Sequence, residues 1–211
     1  MIVIDCEQGT KEWFAARAGV CTASMYRTAC TPKQDGKPTD AMLNYAFRLA
    51  VERLTTTPSE GAYETWAMRR GKELEPDARI EHQARIGVRV VQVGMYRTED
   101  GKFGASPDGL IGTDGGAEYK CLVSPDELRT TILDNDLAFY MHQVQGCMWM
   151  TGRNWWDFCV YCPSWSAFGR AFSRWRVPRD DNFIDKMVED LMRFDGIVCD
   201  YMARLQKQTT Q

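Results

Sequence analysis

The stretch Gly104-Ala-Ser-Pro-Asp-Gly-Leu-Ile-Gly-Thr-Asp-Gly-Gly-Ala-Glu-Tyr-Lys-Cys121 sets an Asp ten residues ahead of a Glu-x-Lys, and nothing else in the chain restricts its fold as much. The β-branched run over 88–93 leads into a strand, and Ser106-Pro107-Asp108-Gly109 punctuates it. Asp114-Gly115-Gly116 then supplies the positive-φ residues that a tight hairpin turn requires, with residues 117–123 as the returning strand. Side chains on a strand alternate faces, so Glu118 and Lys120 share one face while Ala117, Tyr119 and Cys121 take the other. With Asp108 at the mouth of the neighbouring strand, two carboxylates converge beside an ammonium. Hard oxygen ligands of this kind suit Mg²⁺, which takes a few carboxylates and completes its shell with water and substrate phosphate. The chemistry implied is metal-dependent phosphodiester hydrolysis.

Taken singly, Glu-x-Lys is a cross-face charge pair of the kind found on many solvated strands, and Pro-Asp-Gly is an ordinary turn. Here the charges are flanked by Leu110, Ile111, Cys121, Leu122 and Val123, residues that ask for burial. Charge in such a strand costs free energy unless it is paired or holds a metal.

A chain of 211 residues, 44% apolar and 26% charged, is long enough for one domain with a sizeable core, and no linker or repeat divides it; we read 1–211 as a single domain. No run is long enough to cross a membrane, and the opening Met-Ile-Val-Ile-Asp-Cys-Glu-Gln lacks the basic and apolar regions of a secretory signal. The expected location is the cytoplasm, with the eight cysteines as thiols. Cys159-Val-Tyr-Cys162 has metal-ligand spacing but only His82 and His142 to complete a zinc set, so buried thiols are the simpler reading. The net charge of −3 disfavours diffuse affinity for nucleic acid, so positive charge must be concentrated locally. Arg69, Arg70 and Lys72 form one candidate cluster, and Arg17, Arg27, Lys33 and Lys37 another.

Apolar spacing and punctuation predict helices at 13–17, 23–30 (capped by Thr22), 40–54, 63–86 and 181–206. Pro76 falls either in a first turn or at a kink. Ser124-Pro-Asp-Glu127 is a capping box that opens a helix to about 133, and 137–151 is a helix closed by Gly152. Strands are expected at 155–162 and 168–177, which gives a mixed α/β sandwich. Trp155, Trp156, Trp165 and Trp175 read as core or subunit contact rather than as base-stacking groups, and His142 as a core or supporting residue.

Five motifs occur in order: Gln8-Gly-x3-Trp13 leading to Arg17-x-Gly-x2-Thr-Ala-Ser24; Gly71-x3-Glu75-x2-Ala78; Ser106-Pro-Asp-Gly109; Glu118-Tyr-Lys-Cys121; and Tyr140-Met-x-Gln-Val-Gln145. In these the chain resembles the lambda exonuclease / YqaJ-type viral recombinase family of the PD-(D/E)xK nuclease superfamily, over about 8–151. The resemblance implies an α/β fold with a restriction-endonuclease-like core, a central mixed β-sheet flanked by helices. The implied activity is a Mg²⁺-dependent 5′-to-3′ exonuclease on double-stranded DNA, releasing mononucleotides and leaving a 3′ single strand for strand annealing. A restriction-like or nicking endonuclease of the same fold, or an inactive DNA-end-binding module, is the alternative. Two Mg²⁺ ions, replaceable by Mn²⁺, a homotrimeric ring around DNA and a single-strand annealing partner are also implied, with no membrane.

By the same resemblance Asp108, Glu118 and Glu75 are metal ligands together with the backbone carbonyl of Tyr119. Lys120 orients or deprotonates the attacking water, and Gln143 holds Lys120 or that water. A lysine beside two cations loses its proton more readily, which implies activity rising toward alkaline pH. Arg17, Ser24 and Ser106 correspond to a pocket for the 5′-phosphate of a DNA end, where a helix opened by Thr22-Ala-Ser24 and a bidentate arginine attract an anion. Met68 corresponds to an apolar wedge between terminal base pairs. Where the family often carries a further acidic residue this chain has Thr98, followed by Glu99 and Asp100, and that position stays unassigned.

Overall fold

The computed structural model describes residues 1–59 and 65–208. Two mixed sheets organise it. The first runs in the order β1 (Ile2–Ile4), β4 (Met95–Arg97), β5 (Phe103–Ala105), β2 (Cys21–Thr22). The second runs β3 (Val90–Val91), β6 (Gly109–Ile111), β7 (Gly115–Lys120), β8 (Trp155–Tyr161), β9 (Phe172–Pro178). In the second, β7 and β8 are parallel and every other neighbouring pair is antiparallel. Helices flank the sheets, as a restriction-endonuclease-like α/β core requires.

The helices are α1 (Lys11–Arg17), α2 (Tyr26–Cys30), α3 (Asp40–Thr55), α4 (Trp66–Ile86), α5 (Pro125–Ile132), α6 (Met141–Thr151) and α7 (Asp181–Gln208). Their ends follow from local chemistry. Thr10, Thr39, Thr65 and Ser124 accept hydrogen bonds from the first free backbone N–H groups of α1, α3, α4 and α5. Gly87 and Gly152 close α4 and α6 in the left-handed conformation. The expected start of α4 at 63 lies outside the described residues. Pro76 sits well inside α4 rather than in its first turn, so the Lys72 carbonyl has no N–H to accept from it.

Strand alternation sorts the side chains of the five-stranded sheet between two cores. Trp156, Phe158 and Val160 of β8 enter the main core with Val144, Cys147 and Met148 of α6 and Leu191 and Phe194 of α7. Ala117 and Tyr119 of β7, Cys159 of β8 and Phe172 of β9 face the opposite way, into a smaller core closed by Ala78 of α4. The chain crosses from the first sheet to the second in the three residues between β5 and β6, Ser106-Pro107-Asp108.

Several expectations need correction. The hairpin turns at 112–114, with the positive φ at Gly112 (+52°), and Gly115 and Gly116 belong to β7. They are glycines because a Cβ would stand 2.1 Å from the Trp155 ring and 2.2 Å from the Trp156 ring. The strand ends at Lys120 rather than running to 123. Instead of one helix over 23–30, a 3₁₀ turn (Ala23–Met25) precedes the five-residue α2, and Thr22 makes no side-chain cap. A 3₁₀ turn, Ala138–Tyr140, likewise precedes α6. Phe168 ends a 3₁₀ turn, Pro163–Phe168, and β9 begins only at Phe172. Trp156 is fully buried and Trp155, Trp165 and Trp175 pack at the rims of the cores. All eight cysteines are free. No helix among the described residues is long and apolar enough to cross a membrane.

Candidate active site

The two charges of β7 lie on one face as alternation requires: Lys120 Nζ donates to Glu118 Oε1 at 2.8 Å. Gln143, in the first turn of α6, joins both. Its Oε1 accepts from Lys120 Nζ at 3.1 Å and its Nε2 donates to Glu118 Oε1 at 2.5 Å. Asp108 arrives from the sheet crossing, where its Oδ2 accepts the Tyr119 backbone N–H at 2.8 Å. Gln8 holds that crossing in place, its Nε2 donating to Pro107 O at 2.8 Å and to Val93 O at 2.9 Å. Glu75 comes from α4 and is engaged by Arg79, one turn further along the helix.

Burial of several like charges dominates the electrostatics. Asp108 is held well above the ordinary carboxyl range by desolvation, then by the charges of Glu118 and Glu75. Glu75 is also raised, by desolvation first, with Arg79 opposing and Glu118 adding to the shift. Burial pulls Lys120 down, but Glu118 and Asp108 outweigh it and leave the ammonium above its usual range. Without a cation, then, Lys120 holds its proton more tightly than a free lysine.

The donor set fits a divalent cation in its chemistry. Glu118 is 2% exposed and its Oε2 is buried without a hydrogen-bond partner among the described residues, which is costly for a carboxylate unless something else meets it. The mutual repulsion of Glu75, Asp108 and Glu118 is the penalty that a dication removes. Among the described residues, however, no three His, Cys, Asp or Glu side chains already form a cation cage. Glu118 Oε1 is engaged with Lys120 and Gln143, and Glu75 is turned to Arg79.

A second constellation lies on the other side of the crossing. Arg17 Nη1 donates to Ser106 Oγ at 3.2 Å and Nη2 to Thr22 Oγ1 at 3.2 Å, and the Ser24 hydroxyl is 3.4 Å from that of Thr22. Burial lowers the Arg17 pKa. Arg17, Ser24, Met68, Arg48 and Lys72 line one cavity of about 610 Å³, and Met68 is exposed there. The residues expected to hold a phosphate are therefore neighbours, although α2, the helix that follows Thr22-Ala-Ser24, has only five residues.

The sequence reading assigned no role to Trp13, whose ring lies 4.2 Å beneath the Arg17 guanidinium and whose Nε1 donates to Ser106 Oγ at 2.9 Å. Its place in the first motif was the available signal. Arg48 had none, since it is one of many arginines on a helix face. Thr98 shapes the β4–β5 turn, donating to Asp100 Oδ1 at 2.6 Å and accepting from Phe103 N at 3.1 Å, while Glu99 pairs with the N-terminus.

A family model described as the YqaJ-like viral recombinase domain matches residues 12–154. The chain is similar to an alkaline exonuclease (LHK-Exo) from Laribacter hongkongensis, at 33% identity over 95% of this chain and 98% of the other, with a TM-score of 0.82. The complex of LHK-Exo with dAMP gives 33% identity over the same shares and a TM-score of 0.83. A phage-related exonuclease from Haemophilus somnus 129PT shares the fold at 16% identity over 90% of this chain and 96% of the other, with a TM-score of 0.65. Among curated proteins, none matches this chain.

Proposed function

The chain belongs to the YqaJ-like viral recombinase domain family, and on that premise we propose that it is a metal-dependent exonuclease of double-stranded DNA, a single nuclease domain over 1–211 that degrades the 5′-ended strand to mononucleotides. The observation that carries this is the buried Glu118 carboxylate, bridged to Lys120 through Gln143 beside Asp108, with one oxygen left for an external cation. Asp108, Glu118 and the Tyr119 carbonyl would hold Mg²⁺ or Mn²⁺, with Glu75 approaching from α4. With two such ions bound, the site gains Lewis acidity at both the attacking and the leaving oxygen of an in-line displacement.

The chain's own residues do the rest. Gln143 fixes the Lys120 amine over the reacting face, where it orients the water and takes its proton. Glu118 and Asp108 raise the Lys120 pKa, so its use as a base follows neutralisation of those carboxylates, and turnover rises toward alkaline pH. Arg17, Ser106 and Ser24 grip the terminal 5′-phosphate, and Met68, in the same cavity, wedges the end base pair. Since net −3 gives little retention by charge alone, we assign a homotrimeric ring that encloses the duplex and hands its 3′ strand to an annealing protein.

The test is digestion of end-labelled linear duplex, and of the same DNA covalently closed, with and without Mg²⁺. Mononucleotides from the 5′ end of the linear form alone, and only with Mg²⁺, are expected. Cuts in closed circles would replace the reading with an endonuclease, and no hydrolysis with any divalent ion would leave an end-binding module.

A further inference from the structure

Behind the proposed site, on the opposite face of the same sheet, a histidine is completely buried in a chain of polar contacts. His82 of α4 is 0% exposed, with Nδ1 2.9 Å from the Tyr119 hydroxyl and Nε2 3.2 Å from Asp157 Oδ2. Asp157 of β8 is itself 0% exposed. Its Oδ1 accepts from Arg176 Nε at 2.9 Å, and its Oδ2 from Arg176 Nη2 at 3.0 Å and Arg174 Nη1 at 3.1 Å, both arginines lying on β9. Asp157 is held down at about 2: desolvation opposes this, but the bonds from His82 and Arg176 and the charges of the two arginines outweigh it. An ionised carboxylate only accepts, so His82 Nε2 carries a proton toward it, and in the neutral ring Nδ1 accepts from the Tyr119 hydroxyl. The ring is boxed by Tyr119 edge-on, with centroids 5.7 Å apart, and by Phe172 stacked at 5.6 Å.

This polar chain ties α4, β7, β8 and β9 together where apolar packing alone would serve a core. What distinguishes its position is the residue at its end. The Tyr119 side chain enters the chain on one face of β7, while its backbone N–H binds the Asp108 carboxylate, and its neighbours Glu118 and Lys120 face the other way. On α4, His82 lies seven residues beyond Glu75, two helical turns along the same stripe, so anchoring His82 also fixes where Glu75 stands against β7. We propose that His82, oriented by Asp157 and its two arginines, is a positioning residue for the nuclease reaction: by holding the Tyr119 hydroxyl it sets the Tyr119 main chain, and with it the Asp108 carboxylate. The inference rests on the nuclease reading of Asp108, Glu118 and Lys120.

Two measurements on the full chain test it, one of them independent of activity. Tyr119→Phe removes only the hydroxyl, and His82→Leu removes both polar ring functions. His82→Gln restores an acceptor and a donor. In metal-free protein, amide hydrogen exchange should show protection of the Tyr119 N–H falling about tenfold or more in Y119F and H82L, with other β7 and β8 amides nearly unchanged, and returning in H82Q. On 5′-phosphorylated linear duplex, kcat should fall about tenfold in Y119F while KM for DNA ends stays within about twofold, since the Arg17 pocket lies on the far side of the crossing. Should H82L fail to fold, Y119F and H82Q decide. Unchanged protection of the Tyr119 amide in Y119F, or a uniform loss across the sheet, would overturn the proposal; so would a wild-type kcat in Y119F. An inactive wild type with the selective exchange change intact would instead sink the nuclease reading alone.

Discussion

Ser106 and Asp108 stand either side of Pro107 at the crossing between the two sheets, and their side chains serve opposite halves of the site: Ser106 Oγ accepts from Arg17 and Trp13, and Asp108 Oδ2 accepts from the Tyr119 backbone. The proposed grip on a DNA end and the proposed hydrolytic centre are thus joined by three consecutive residues. Three residues bound how far apart the two side chains can stand. Gln8 pins the carbonyl between them.

Lys120→Ala removes the amine that donates to Glu118 and Gln143. Turnover on linear duplex should drop by a factor on the order of 10³, the scale of general acid–base catalysis, with end binding within about twofold of wild type. Substantial residual cleavage in that variant would place the chemistry elsewhere.

If Arg17 and Ser106 receive a terminal phosphate, duplex with a 5′-phosphate should be digested at least about tenfold faster than duplex with a 5′-hydroxyl, as charge-assisted hydrogen bonds of about 1.5–3 kcal/mol allow. Arg17→Ala should erase most of that difference. Equal rates on both substrates for the wild type would remove the phosphate pocket and leave the nuclease intact.

Asp108 is raised by burial and by Glu118 and Glu75, so its protonated form is favoured in the folded state. Stability linked to that proton is present below the unfolded carboxyl pKa and is lost as pH rises through the folded value. Asp108→Asn should therefore melt higher than wild type in metal-free buffer at pH 8, by about 2–4 °C for each kcal/mol of repulsion relieved, with the advantage vanishing near pH 4. Thermal melts across that range, with and without Mg²⁺, check it, and the ion should stabilise the wild type and not the variant.

Gly116→Ala places a methyl 2.2 Å from the Trp156 ring at the centre of the main core. Overpacking of this kind costs about 1–3 kcal/mol, read as a lower denaturant midpoint with unchanged slope. Gly112→Ala meets no atom within 4 Å and faces only the strain of φ +52°, about 1 kcal/mol. The reverse order of stabilities would show that the turn, not the tryptophan contact, is what needs glycine.

Light scattering at micromolar concentration should give about three times the chain's 24.1 kDa. A monomer that digests long DNA without dissociating would remove the ring from the account.

What the sequence determined by itself were the features that neighbouring residues settle among themselves. Period-two alternation put Glu118 and Lys120 on one face of β7, Ser124 capped α5, Gly152 closed α6, and apolar spacing gave α3 and α7 to within a few residues. The family resemblance grouped Arg17, Ser24 and Ser106 and added Met68, and in the fold Arg17, Ser24 and Met68 line one cavity with Ser106 bonded to Arg17. Beyond its reach lay whatever is made by residues distant along the chain. The three-residue strands β1, β4 and β5 are too short to carry a period, and they exist because Ile2 pairs with Arg97 and Tyr96 with Ala105. Locally Gly115 and Gly116 carry a turn signature, yet they are strand residues whose missing side chains leave the space that Trp155 and Trp156 fill. His82 and Asp157 are 75 positions apart, and neither carries a local mark of the other. Burying an ionised carboxylate and an imidazole together costs too much free energy unless four elements close around them at once, and that condition is met only when the sheet and α4 have packed.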